Sequence, residues 1–146
     1  MSVSTEAGAL RRLADELEIR NLLMRRTHLI DGDGIDAYVS CWTEDAVHET
    51  IGGPLDRGHA GMREHAERGR QRVVETGIRG RHVVTNLVVT LDGPDQATCE
   101  SILTVMTDTQ KTPSIVSLYK SRDSVRRTPQ GWKVAYRLST PVSAAG

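Results

Sequence analysis

Phenylalanine is absent from this chain of 146 residues, and two tryptophans and three tyrosines are its only aromatics. A core built without phenylalanine rests on Leu, Val, Ile and Met, so the placement of each Trp and Tyr is informative. Cysteine is scarce as well. Cys41 and Cys99 belong to no CxxC or Cys/His ligand pattern and read as small buried apolar groups. Net charge is also missing: 19 basic and 19 acidic residues cancel, so no overall field draws the protein to nucleic acid or to an anionic membrane. No run approaches the roughly 20 apolar residues of a membrane span. The N-terminus, Met1 to Glu6, has neither the basic start nor the apolar core of a signal peptide, and the expected location is the cytoplasm. No repeat or low-complexity segment is present.

What is there fits a single domain over residues 1–146, with 1–8 and 140–146 expected to be flexible. Residues 9–30 show helical spacing. Leu10, Leu13, Leu17 and Met24 fall within roughly 60° of Asp31 at 100° per residue, and Ile19, Leu23 and Ile30 widen the apolar arc. Either the helix continues and Asp31 points inward, where a carboxylate needs a partner, or the helix ends at Ile30 and Asp31 is a turn residue beside Gly32. Asp33 looks like the N-cap of a second, short helix carrying Ile35, Tyr38, Val39 and Trp42 on one face, ended by Thr43-Glu44-Asp45. Residues 46–51 alternate like a strand, 55–59 fit a second short one, and 61–75 read as a polar third helix rich in arginine.

The remainder reads as sheet. Strands are expected at His82 to Leu91, Gln96 to Thr107, Ser114 to Arg126 and Trp132 to Leu138, separated by turn signals such as Asp92-Gly93-Pro94-Asp95. Helices followed by a meander of long antiparallel strands make an α+β pattern. The first long strand is apolar on both faces, with Val84 and Val88 on one and Val83, Leu87, Val89 and Leu91 on the other. One face can line a cavity, and the other then needs cover, which points to a homo-oligomer.

The candidate chemistry is a histidine and an aspartate. His82 opens the first long strand on the face that carries Val84 and Asn86. If that face is concave, His82 and Asp31 share a cavity. A neutral imidazole that donates Nδ1–H to a carboxylate presents Nε2 as a general base. This is the base and orienter of a hydrolase triad without its nucleophile. No metal site is indicated: His48-Glu49 lacks a second His at helical spacing, and there is no Cys/His cluster.

The segments Ile19 to Leu23, Ile30-Asp31-Gly32-Asp33 and Tyr38 to Glu49 resemble the opening of SnoaL-like proteins, of the nuclear transport factor 2-like superfamily. His82-Val83-Val84-Thr85-Asn86, the Asp92-Gly93 turn and Gly131-Trp132-Lys133-Val134 extend the resemblance from about Leu10 to Leu138. It implies a cone-shaped roll: three N-terminal helices packed in a curved antiparallel sheet, with an internal pocket. Within the superfamily the chain looks most like the branch of scytalone dehydratase, bile acid 7α-dehydratase and hexachlorocyclohexane dehydrochlorinase. There an Asp at the end of the first helix and a His opening a sheet strand form a catalytic dyad, matched here by Asp31 and His82.

That resemblance implies a lyase or isomerase without cofactor or metal. It would take a proton from a small hydrophobic cyclic or polycyclic substrate, with no nucleic-acid or membrane partner, as a homodimer or homotrimer joined through the sheet. Five residues before the Asp, the dehydratases carry Tyr and the dehydrochlorinase a cation; here stands Arg26. On an ideal helix Arg26 lies roughly 140° from Asp31, so it reaches the pocket only if Asp31 lies past the last regular turn. Arg137, five residues after Trp132, matches a basic position that assists the leaving group in some relatives. Trp42, Tyr38, His28, Asn86 and Tyr119 are the candidate substrate contacts. His48 is expected at the pocket mouth, and His59 and His65 in solvent. The alternative is a ligand-binding protein without catalysis, or the small subunit of a ring-hydroxylating dioxygenase.

Overall fold

A computed structural model describes residues 3–142. The chain runs α1 (Val3–Asp31), α2 (Ile35–Ser40), β1 (Trp42–Thr50), β2 (Leu55–Arg57), α3 (Gly58–Thr76), β3 (Arg81–Leu91), β4 (Gln96–Thr107), β5 (Ser114–Thr128) and β6 (Gly131–Pro141). Of the ends expected to be flexible, residues 3–8 open α1 and 140–141 close β6; residues 1–2 and 143–146 lie outside the described residues. The six strands form one curved sheet in the order β2-β1-β6-β5-β4-β3, and the helices pack against it in the α+β cone expected from the sequence. Pairing is antiparallel except between β1 and β6, which run parallel. The third helix follows two short strands, the order read from the sequence.

Helix α1 corrects the apolar arc read from its sequence. Ile19, Leu22, Leu23 and Arg26 face the core, while Leu10, Leu13 and Leu17 are 66%, 64% and 60% exposed. The two groups stand roughly 150° apart around the helix. The second half of α1 lies against β3 and β6, and the leucine stripe of the first half turns away from both. Trp132 Nε1 donates to Asp15 Oδ1 at 3.2 Å, and Arg127 pairs with the same oxygen at 2.7 Å. These contacts tie α1 to the β5–β6 hairpin.

Two further boundaries differ from the sequence reading. Asp33 does not cap α2. Gly34 holds the N-cap position without a side-chain bond, and Asp33 pairs instead with Arg70 at 3.0 Å. Trp42 opens β1 instead of extending α2, so the stretch expected to end the helix is already strand.

Strand β3 resolves its two apolar faces through a bulge. Its register with β4 shifts between Thr85 and Val88, and Asn86 adopts φ 54, a left-handed conformation that Asn tolerates better than most residues. The inward phase therefore changes from even positions, His82 and Val84, to odd ones, Leu87, Val89 and Leu91, which pack on the core. A bulge of this kind flips every later side chain to the other face.

Candidate active site

The site begins where α1 ends. Asp31 is its last residue, which settles the open choice in favour of a helix that continues through it. It faces the flank on which β3 forms the sheet edge. An edge strand has backbone N–H groups with no neighbouring strand to accept them, and Asp31 takes one. The His82 backbone N–H donates to Asp31 Oδ2 at 2.8 Å, and His82 Nδ1 meets Oδ1 at 2.6 Å. A carboxylate oxygen only accepts, so Nδ1 carries a proton, and in the neutral ring Nε2 is then the nitrogen with the free lone pair. The Asp31 side chain is 11% exposed and that of His82 30%. The imidazole is thus the more open of the two, and both side chains border open space.

That space is a cavity of about 710 Å³, lined by Asp31, His82, Arg26, Tyr38, Tyr119 and Arg137 among others. Arg26 reaches it although Asp31 is helical. The cavity lies off the C-terminal end of α1, so side chains leaving different flanks of the last turns both border it. Arg26 faces inward with its guanidinium 5.2 Å from the Trp42 ring centre, and its Nε has no hydrogen-bond partner among the described residues. Tyr38 packs edge-on to Trp42, and burial pushes its hydroxyl pKa up.

Arg137 is 1% exposed on β6, across from the fully buried Asp123 of β5. The two approach to 3.4 Å, yet among the described residues Arg137 Nε and Nη1 and both Asp123 oxygens lack hydrogen-bond partners. Burial pushes the Asp123 carboxyl up to about 6, with Arg26 acting in the opposite direction. Both arginines thus border the cavity, with buried N–H groups that have no acceptor among the described residues.

Three nominated contacts do not line the cavity. Trp42 is fully buried behind Arg26 and Tyr38 and supports the wall instead of forming it. His28 is exposed on α1. Asn86 sits in the β3 bulge, on the exposed side of the phase change. The two thiols are free and buried, and burial pushes that of Cys99 up to about 12, which leaves it un-ionised at neutral pH.

The sequence reading missed a second cluster. His48, expected at the mouth, is buried on β1, with its ring stacked on Trp42 at 5.8 Å. His65, expected in solvent, is hydrogen-bonded through Nδ1 to Asp56 Oδ2 at 2.9 Å. Arg68 Nη2 donates to the other oxygen at 2.8 Å. His48, His65 and Arg68 all border the cavity. The available signal was the three-residue spacing of His65 and Arg68, which puts both on one face of α3 toward an acid on the preceding strand. His59, also expected in solvent, is half-buried, with Nε2 2.9 Å from the Trp42 carbonyl.

A helix-filled, curved sheet with a polar-studded pocket defines a cone of the nuclear transport factor 2-like kind. Residues 11–138 match the SnoaL-like domain model, and the chain belongs to that family. Among solved structures, it is similar to an NTF2-like protein with a cystatin-like fold from Novosphingobium aromaticivorans. Identity is 27% and the TM-score 0.87, covering 99% of this chain and 94% of that one. A function-unknown protein from Mycobacterium tuberculosis is 28% identical with TM-score 0.79, over 97% of this chain and 77% of the other. ActVI-ORFA from Streptomyces coelicolor shares the fold at 19% identity and TM-score 0.73, over 86% of this chain and 96% of its own. No curated protein matches.

Proposed function

We propose that the protein is a cofactor-independent lyase or isomerase of the dehydratase and dehydrohalogenase branch, acting on a small, largely apolar cyclic or polycyclic compound. The observation that carries this reading is the two-point hydrogen bond between Asp31 and His82 beside the cavity. A volume of about 710 Å³ accepts a ligand of two or three fused rings, within the usual range for small-molecule pockets.

In the proposed step, His82 Nε2 takes a proton from a carbon next to an activating group. The C–H electron pair becomes a new C=C bond, and the bond to hydroxide or halide breaks with its pair going to the leaving group. Asp31 fixes the imidazole tautomer and stabilises the imidazolium that forms. Arg26 and Arg137, which border the cavity, place positive charge beside the developing negative charge. In an isomerisation the same proton returns from His82 to a different carbon. Tyr38 and Tyr119 shape the wall.

The test is turnover of a panel of cyclic β-hydroxy ketones and polychlorinated cyclohexanes, followed by enone absorbance and halide release. His82→Ala and Asp31→Asn should each lower turnover by roughly 10²- to 10⁴-fold while the folded spectrum persists. Wild-type rates in either variant would remove the dyad from the chemistry. Tight binding of panel members with no turnover by the native protein would favour the ligand-binding alternative.

The reading includes a cytoplasmic homodimer or homotrimer joined through the outer face of the sheet. Among the described residues, Val83, Val88, Ile115 and Leu118 are exposed apolar side chains on β3 and β5, which supports such a contact. No helix of the described residues is long and apolar enough to cross a membrane.

A further inference from the structure

We propose that His48, Asp56 and His65 form a divalent transition-metal site in the cavity wall, separate from the Asp31–His82 pair and suited to Zn²⁺ or a similar ion. One donor atom from each of the three lies within 4.8 Å of the others. Two imidazoles and one carboxylate are a donor set that Zn²⁺, Co²⁺ and Fe²⁺ accept. In a tetrahedral site with bonds near 2.1 Å the donors stand about 3.4 Å apart, so small side-chain rotations close the set.

His48 carries the argument furthest. Its Nε2 meets the Ser139 hydroxyl at 3.3 Å, while its Nδ1 is buried with no hydrogen-bond partner among the described residues. Orphaned polar atoms of this kind are uncommon and call for an explanation. A metal-ligating histidine typically donates its other ring N–H to an oxygen, which fixes the ring and aims the free lone pair. Ser139 supplies that oxygen, and Nδ1 is the lone pair left over.

Asp56 is held in a comparable way. Arg68 occupies only Oδ1, leaving Oδ2 directed at His65. Binding requires His65 to move its proton from Nδ1 to Nε2, a change of tautomer that presents Nδ1 and needs no net loss of charge. His48 and His65 border the cavity, which leaves the remaining coordination position open to water or to a ligand oxygen, as in catalytic rather than closed structural sites. The Arg26 and Arg68 guanidiniums oppose a dication there and limit its affinity. No short sequence motif reveals the set, because its members come from β1, β2 and α3.

The experiment is a Co²⁺ titration of the full-length, tag-free protein after chelator treatment. Visible d–d absorption and retained metal are measured after gel filtration. One equivalent with the intense absorption of a four- or five-coordinate ion is expected, displaced by Zn²⁺. His48→Gln and Asp56→Asn should each weaken binding by more than about a hundredfold, beyond the loss typical of outer-shell changes. Asp31→Asn should bind as the native protein does, so the outcome is independent of the proton-transfer reading. No d–d band and no retained metal in the native protein would overturn the proposal. So would binding that survives both His48→Gln and Asp56→Asn. If either variant fails to fold, His65→Gln takes its place under the same expectation.

Discussion

Asp31 and His82, 51 positions apart, are joined by two hydrogen bonds, one to the ring Nδ1 at 2.6 Å and one to the backbone N–H at 2.8 Å. Both groups on His82 are donors, so both Asp31 oxygens must be acceptors. Asn at position 31 can satisfy only one of them; its NH₂ would face the other donor. Asp31→Asn should therefore disturb the ring tautomer and the start of β3 together. The expected outcome is a stability loss of about 1–3 kcal/mol, read by urea unfolding. The His82 ring ¹⁵N shifts should also show loss of the single Nδ1–H tautomer. An unchanged tautomer would mean that Asp31 does not set it.

The Arg137–Asp123 pair allows a second test. Removing the cation alone, by Arg137→Met, leaves a fully buried carboxyl without its ion-pair partner, and breaking such a pair costs about 3–5 kcal/mol. Adding Asp123→Asn should recover most of that loss, because the remaining amide needs no counter-charge. A double-mutant cycle in urea measures the coupling. Additive effects of the two substitutions would show that the pair does not interact.

Asp123 also makes a pH prediction. Its folded pKa, raised by burial to about 6, lies above its unfolded value near 3.8. Between these values the folded state holds the proton and the unfolded state has released it, so this group's contribution to stability falls as pH rises from about 4 to about 6 and is flat beyond. Asp123→Asn should lack that decline. The difference between the native and variant unfolding free energies across this window isolates the term from other carboxylates. A native curve parallel to the variant's would show that Asp123 ionises normally in the fold.

The sequence carried the elements and the pair, but not the placement of many side chains. Asp31 and His82 were legible because one ends a long helical run and the other begins a Val-rich strand, and the family pattern links the two. Asn86 was misplaced because a strict two-residue alternation extends from His82, and nothing local shows that a bulge interrupts it. The leucines at 10, 13 and 17 were assigned to the core because periodicity identifies an apolar face without saying what it meets; the packed face is centred on Ile19, Leu22 and Arg26. His48, Asp56 and His65 were invisible as a set because β1, β2 and α3 converge only in three dimensions.

The leucine stripe and the outer sheet face separate two modes of association. Val83 and Leu118 lie in one row across β3, β4 and β5, through Thr104, and both are more than a third exposed. If the outer sheet face joins two or three copies, Leu118→Lys should place an unpaired charge in that contact and yield monomers in sedimentation velocity. Leu13→Lys, on the opposite side of α1 from the core, should leave the assembly intact. The reverse result would move the contact to α1. A native protein that sediments as a monomer at high micromolar concentration would remove both, and would leave the exposed valines as ordinary surface. The Asp31–His82 pair should persist in every case, since its partners come from one chain.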